Sequence, residues 1–150
     1  MPGTYSNLLL HIVFSTKHRD PFIDEALEPR LYDYLGGVIR GQRGILYEIG
    51  GMPDHLHLLV RWRPDASISD LMRRLKGNSS KWIHETFPER RAFAWQEGYS
   101  VFSVSQRLVD KASQYIRNQK EHHKTVSFVD ELLKLLRSNN VEFDERYVFD

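Results

Sequence analysis

The sequence predicts an α+β fold of the ferredoxin-like, RRM-like kind: an antiparallel sheet with packed helices, plus a further C-terminal helix. Three observations carry this. Apolar, β-branched runs recur at residues 5–15, 45–49, 55–62 and 99–104. Segments with apolar residues at helical spacing lie between and after them. A short Gly/Pro connection, "GGMPD", joins the two middle runs and makes them an antiparallel hairpin. The order is then β-α-β-β-α-β-α, with one more helix in the tail.

Each element follows from its residues. "YSNLLLHIVFS" is the first strand, and "TKHRDP" is a polar turn. In residues 24–42, Leu27, Leu31, Leu35 and Ile39 stand four apart and make one helical face. Pro29 suits the first turn of that helix, and Gly41 and Gly44 end it. Residues 45–49 and 55–62 are the second and third strands. Ser67, with Asp70 three residues on, resembles a capping box and starts a helix that runs to about Phe87. Its apolar face is Ile68, Leu71, Met72, Leu75 and Ile83, and Gly77 marks a bend or a close approach. "YSVFSV" alternates as a fourth strand. A helix is expected from Ser105 to about His122 or His123. Ser127 caps the last one, which ends at Asn139 and Asn140. Nothing divides the 150 residues. They are expected to form one domain over 1–150, with a core at about 5–124 and a C-terminal helix and tail at 125–150.

Composition narrows the classes. With 41% hydrophobic and 27% charged residues the chain is an ordinary globular one. No apolar run is long enough to span a bilayer, and the N-terminal apolar stretch reads as a strand rather than a signal peptide. No cysteine is present, which excludes disulfides and thiolate metal sites and fits a cytoplasmic setting. The net charge is +1, but it is unevenly placed. Residues 61–81 hold six basic side chains (Arg61, Arg63, Arg73, Arg74, Lys76 and Lys81) against two acids. With Trp62, Trp82 and Trp95 nearby, this zone offers phosphate contacts and base stacking, or simply a solvated helix face. Lys17, His18 and Arg19 are weaker candidates, and Asn78, Ser79 and Ser80 either bond phosphates or mark a helix bend.

The chemistry-bearing pattern is His55-Leu56-His57. On a strand, residues two apart share a face, so the two imidazoles converge while Leu56, Leu58 and Val60 turn to the core. Such a pair can grip one metal ion, or can be two polar residues on a sheet face. In the later helix Tyr115 and Gln119 are four apart and share a face, with His122 near it and Leu108, Ala112 and Ile116 as the adjoining apolar stripe. Tyrosine can act as a covalent nucleophile, and a glutamine oxygen can ligate a metal. Asp54 could orient an imidazole from behind or close the turn.

Five blocks occur in register: "HIVFSTKHRDPFI", "GGMPDHLHLLV", "SISDLMRRLKGNSSKWI", "WQEGYSVFSVS" and "YIRNQKEHH". Together they resemble the HUH-type single-tyrosine transposases of minimal insertion sequences, over residues 5–124. The resemblance implies cleavage and rejoining of single-stranded DNA at element ends, with recognition of DNA hairpins. It implies that His55 and His57 bind a divalent ion, Mg²⁺ or Mn²⁺, with Gln119 as a third ligand. Tyr115 would attack the scissile phosphate and leave a 5′-phosphotyrosine and a free 3′-OH. It also implies homodimers in which the tyrosine helix can serve the partner's site. Three alternatives stand beside it. One is a chromosomal relative acting on short palindromic repeats. Another is a non-catalytic RRM-like binding module, although histidines occupy the strand where that module shows aromatics. The third is a metal-dependent hydrolase in which Tyr115 is only structural.

Overall fold

The computed structural model describes residues 3–150. It is an α+β structure whose sheet holds β1 (Leu8–Ser15), β2 (Ile45–Met52), β3 (His55–Trp62) and β4 (Ser100–Val104) in the order β2-β3-β1-β4. Every neighbouring pair is antiparallel. The helices are α1 (Glu28–Gly41), α2 (Ile68–Thr86), α3 (Val109–Arg117), α4 (Gln119–His122) and α5 (Phe128–Ser138). No helix among the described residues is long and apolar enough to cross a membrane.

The period of two in β1 and β3 divides the sheet into two unlike faces. Leu10, Ile12 and Phe14 join Leu56, Leu58, Val60 and Trp62 on one face, where α1 and α2 bury Leu31, Leu35, Ile39, Leu71, Met72, Leu75 and Ile83 against them. The other face carries His11, Val13, His55, His57 and Phe102, and α5 packs Phe128, Leu132 and Leu136 on Val13 and Phe102. Leu56 and Leu58 therefore do what the sequence assigns them, and the histidines face away from the core.

Several boundaries differ from the sequence reading. Gly50, Gly51 and Met52 belong to β2, so Pro53 and Asp54 alone form the turn into β3. Helix α1 starts at Glu28, not at residue 24, because the Asp24 carboxylate accepts from the Leu27 amide at 2.9 Å ahead of the first turn. Pro29 sits in that first turn as expected. The helix expected over 105–123 is broken. A short 3₁₀ turn precedes α3, and Asn118, at φ −93° and ψ 22°, separates α3 from α4. Leu108 is exposed and takes no part in an apolar stripe. Gly77 neither breaks nor visibly bends α2, and a Cβ there would meet nothing within 4 Å. Both serine caps hold: Ser67 Oγ accepts from the Asp70 amide at 3.0 Å and Ser127 Oγ from Asp130 at 3.2 Å.

One contact explains a glycine. A Cβ on Gly50 would lie 2.1 Å from the Ile116 carbonyl oxygen. Gly50 pairs with His57 in the ladder, so its missing side chain lets the end of α3 lie directly on the sheet beside the histidine pair.

Candidate metal and nucleophile site

The site is built on the sheet face opposite the core. His55 and His57 come from β3 and are buried, with ring centroids 5.2 Å apart. Tyr115 sits on α3, brought over His57 by the close approach at Gly50, with the two rings 5.7 Å apart. The Asn118 break turns the chain so that Gln119, also buried, aims its amide at the same point: its Oε1 lies 3.1 Å from His55 Nε2. The four residues expected to carry the chemistry thus converge within one chain.

Three residues complete the cluster that the sequence reading did not single out. His123, four residues after Gln119, places Nε2 at 2.8 Å from Gln119 Oε1. Glu131, on α5, is the one buried carboxylate among the described residues. Its Oε1 lies 3.0 and 3.1 Å from His57 and His123 Nε2, while Oε2 accepts from Gln119 Nε2 and from the Tyr115 hydroxyl. His55, His57, His123 and Glu131 each offer a donor atom within 4.8 Å of the others and could hold a metal ion. His11 of β1 lies behind the pair, its Nε2 2.8 Å from His57 Nδ1. The signals for these were present in "KEHH" and in Glu131 on the inner side of an amphipathic helix. No local spacing ties them to β3, because 74 residues separate Glu131 from His57.

Asp54 lies in the turn between β2 and β3; its backbone oxygen accepts from the Thr16 amide, and its carboxylate receives His55 Nδ1 at 2.8 Å. That contact fixes the proton of neutral His55 on Nδ1 and turns a bare Nε2 inward. His123 is fixed in the same sense, since its Nδ1 lies 2.7 Å from the Val126 carbonyl, an obligate acceptor. Outward-facing protons and inward-facing lone pairs are what a cation requires of imidazoles.

The electrostatics fit. Burial, reinforced by His57, lowers the pKa of His11 to about 3, and burial lowers that of His57 to about 4 against the pull of Glu131. Both rings are neutral at pH 7. For His55 burial acts downward too, but hydrogen bonds to Asp54 and Glu131 outweigh it and raise the value. Glu131 is held far below the ordinary carboxylate range. Burial opposes this, but the His55 and His57 rings beside it prevail. Burial first and Glu131 second push the Tyr115 phenol upward, so it stays protonated and donates to that carboxylate.

The basic residues do not gather here. Arg61 sits near the end of β3 beside Ser6, and Arg63 lies over the Trp62 ring. Arg73 and Arg74 both bond Asp70, at 2.6 and 3.2 Å, and Lys76 Nζ donates to the Glu97 and Gly98 carbonyls. Lys81 is exposed near Glu85. The last four are on α2, behind the opposite face of the sheet. Trp62 and Trp95 are core residues, and Trp82 stacks on Tyr34, so free base-stacking rings are not what the tryptophans provide. Ser79 is structural as well, donating to the Leu75 carbonyl and accepting from Trp95 Nε1.

The chain as a whole is similar to known transposases. The family described as "Transposase IS200 like" matches residues 4–119. The ISDra2 transposase TnpA of Deinococcus radiodurans is 27% identical over 124 residues, 78% of this chain and 87% of that protein. The transposase for insertion sequence element IS200 of Salmonella typhimurium is 29% identical over 123 residues, 79% of this chain and 80% of that one. A solved transposase structure from Deinococcus radiodurans superposes with a TM-score of 0.66 at 28% identity, over 79% of this chain and 95% of that one. A REP-associated tyrosine transposase, solved bound to a REP hairpin, shares the fold over 100% of this chain and 91% of its own, with a TM-score of 0.62 at 14% identity. The family match stops short of α5, which that last fold likeness spans. The family match runs from β1 through β4 and α3, over more than half of the chain, and the chain belongs to the IS200-like transposase family.

Proposed function

We propose that this transposase cleaves and rejoins single-stranded DNA through a covalent bond to Tyr115, with a divalent ion held at His55, His57 and Gln119. The observation that carries this reading is the placement of the Tyr115 hydroxyl on a carboxylate that also meets His57. An acceptor-rich pocket of imidazoles with inward lone pairs suits a cation by its donor chemistry. The bound ion would supply charge stabilisation at the phosphate. Of Mg²⁺ and Mn²⁺, the nitrogen-rich set suits Mn²⁺ better, because Mg²⁺ prefers all-oxygen surroundings.

The chain's own residues then have definite work. Asp54 and His11 hold the rings of His55 and His57 in orientation. The Tyr115 oxygen forms a bond to the scissile phosphorus while the bond from phosphorus to the 3′ oxygen breaks. The phenol proton leaves to solvent, since Glu131, held far below the ordinary carboxylate range, orients the hydroxyl rather than keeping its proton, and the departing 3′ oxygen takes up a proton from solvent. A 5′-phosphotyrosine and a 3′-OH result, and the reverse step rejoins a strand without an external energy source. Tyr115 already lies against the His57 of its own chain, so we read the reaction as occurring within one chain, with a homodimer serving to bring two DNA ends together. The REP-hairpin-bound relative favours a hairpin as the recognised element. Arg61, Arg63, Arg73, Arg74, Lys76 and Lys81 are the candidate contacts to its backbone.

The test is a denaturing gel of the protein incubated with labelled single-stranded DNA carrying an end hairpin and Mn²⁺. Label should migrate with the protein, and Tyr115→Phe should remove both adduct and cleavage while hairpin binding persists. Cleavage without an adduct, or cleavage by Tyr115→Phe, would assign the reaction to water and leave Tyr115 structural.

A further inference from the structure

The site implied by the family uses residues 55–119 and leaves Glu131 without a part in holding the ion. We infer that Glu131 is the anionic ligand of the metal centre, and that α5 is therefore a piece of the catalytic site rather than a support behind it. This rests on the metal reading above and adds a ligand to it.

Packing, not the carboxylate, sets where α5 lies. Ser127 caps it, Phe128 stacks on the His55 ring at 3.8 Å and 9°, and Leu132 and Leu136 fill the apolar cluster on Val13 and Phe102. Glu131 stands on that same buried side and is carried into the histidine cluster. Its charged partners among the described residues are all histidines, with no lysine or arginine.

A donor and acceptor inventory sharpens the point. His55 and His123 commit Nδ1 to a carboxylate and a carbonyl, so their neutral rings present bare Nε2 atoms. Those atoms meet Gln119 Oε1 and Glu131 Oε1, which are acceptors too. Lone pairs facing lone pairs in a buried site repel unless a positive charge lies among them. The spacing also fits a shared ion. Two ligands on one ion with bonds of about 2.1 Å stand roughly 3.0 Å apart at right angles and roughly 3.4 Å apart in a tetrahedron. Glu131 Oε1 is 3.0, 3.1 and 3.4 Å from the Nε2 atoms of His57, His123 and His55. Its other oxygen receives Tyr115 and Gln119, so one carboxylate joins the ion's position to the nucleophile.

The experiment measures Mn²⁺ binding to the full chain after chelator treatment, by paramagnetic resonance titration, with thermal melts at matched metal concentrations. The variants are Glu131→Gln, Glu131→Asp and His57→Ala. Glu131→Gln keeps the side-chain volume and is expected to weaken Mn²⁺ binding by about 10- to 100-fold or more, since even residues behind a ligand cost that much. It should also lose most of the rise in Tm that Mn²⁺ gives the parent. Glu131→Asp should recover part of both, and it keeps the test open should the glutamine variant not fold. If Glu131→Gln binds Mn²⁺ within twofold of the parent while His57→Ala does not, Glu131 is not a ligand and the metal centre stands without it. If His57→Ala also binds as the parent does, the metal centre itself is misplaced and this inference falls with it.

Discussion

The two faces of the sheet use the same strands for opposite ends. Facing α1 and α2, alternate residues of β1 and β3 are Leu10, Ile12, Phe14, Leu56, Leu58 and Val60, with no titratable group between them. Facing α3 and α5, the intervening residues are His11, Val13, His55 and His57, all buried. One face gains its free energy from apolar area removed from water. The other buries imidazoles and a carboxylate, which is costly unless each finds a partner. Because residues along a strand alternate, a site that is expensive to bury can stand one residue away from the side chains that stabilise it.

The largest separation between the faces should appear in a pair of neighbours. His57→Ala is expected to reduce cleavage to background while the fold persists, as followed by circular dichroism. Leu58→Ala, one residue on but facing the core, is expected to cost about 2–5 kcal/mol of stability. At a temperature where it is still folded, its cleavage rate should stay near the parent's. Equal losses of activity in the two variants would show that the faces are not separable in this way.

Gly50 is the seam between the faces and predicts a smaller, mixed effect. A side chain there collides with the Ile116 carbonyl, so α3 must lift off β2. Gly50→Ala is expected to lose about 1–3 kcal/mol of stability, the usual range for overpacking. Cleavage should fall by a larger factor than that loss implies, since Tyr115 rides on the same helix. A variant that loses stability alone would show that α3 can shift without moving the nucleophile.

How much of this was legible in the sequence follows from the range of the signals. The strands, the core leucines and the serine caps are local patterns with periods of two or about four, and they stand as read apart from the strand ends. His55 and His57 are legible for the same reason, two apart on one strand. The Asn118 break was not, since nothing in "YIRNQKEHH" forbids a continuous helix. The break serves to aim Gln119 and His123 inward, which is a tertiary demand. Glu131 was hidden among six acids of the tail, and its partners lie on another element far back in the chain. Of the basic side chains counted along residues 61–81, four lie on α2, behind the face of the sheet that carries the histidines. Arg73, Arg74 and Lys76 are each held by near neighbours on or beside α2.

The last expected effect comes from pH and again divides the faces. His11 and His57 ordinarily titrate near 6.5, but burial holds them at about 3 and about 4 in the folded chain. Between pH 6.5 and about 4 the unfolded chain therefore binds more protons than the folded one, so stability is present above that window and is lost as pH falls through it. Each such group contributes a slope of up to about 1.4 kcal/mol per pH unit. His55 is raised and acts in the opposite sense: its contribution is present below 6.5 and lost as pH rises through its folded value. Below 6.5 His55 is protonated in both states and adds no slope, so His11 and His57 act together, up to about 2.7 kcal/mol per pH unit, or about 5–11 °C in Tm per pH unit for a chain of this size. Melts of the metal-free protein from pH 7.5 to 5 should show it. His11→Gln should flatten that slope, because it removes one of the two depressed rings. Leu58→Ala should lower every Tm and leave the slope as it was, because the face it weakens carries nothing that titrates. A slope that survives in His11→Gln and vanishes in Leu58→Ala would mean that the titrating groups report on the core instead, and that the two faces unfold as one electrostatic unit.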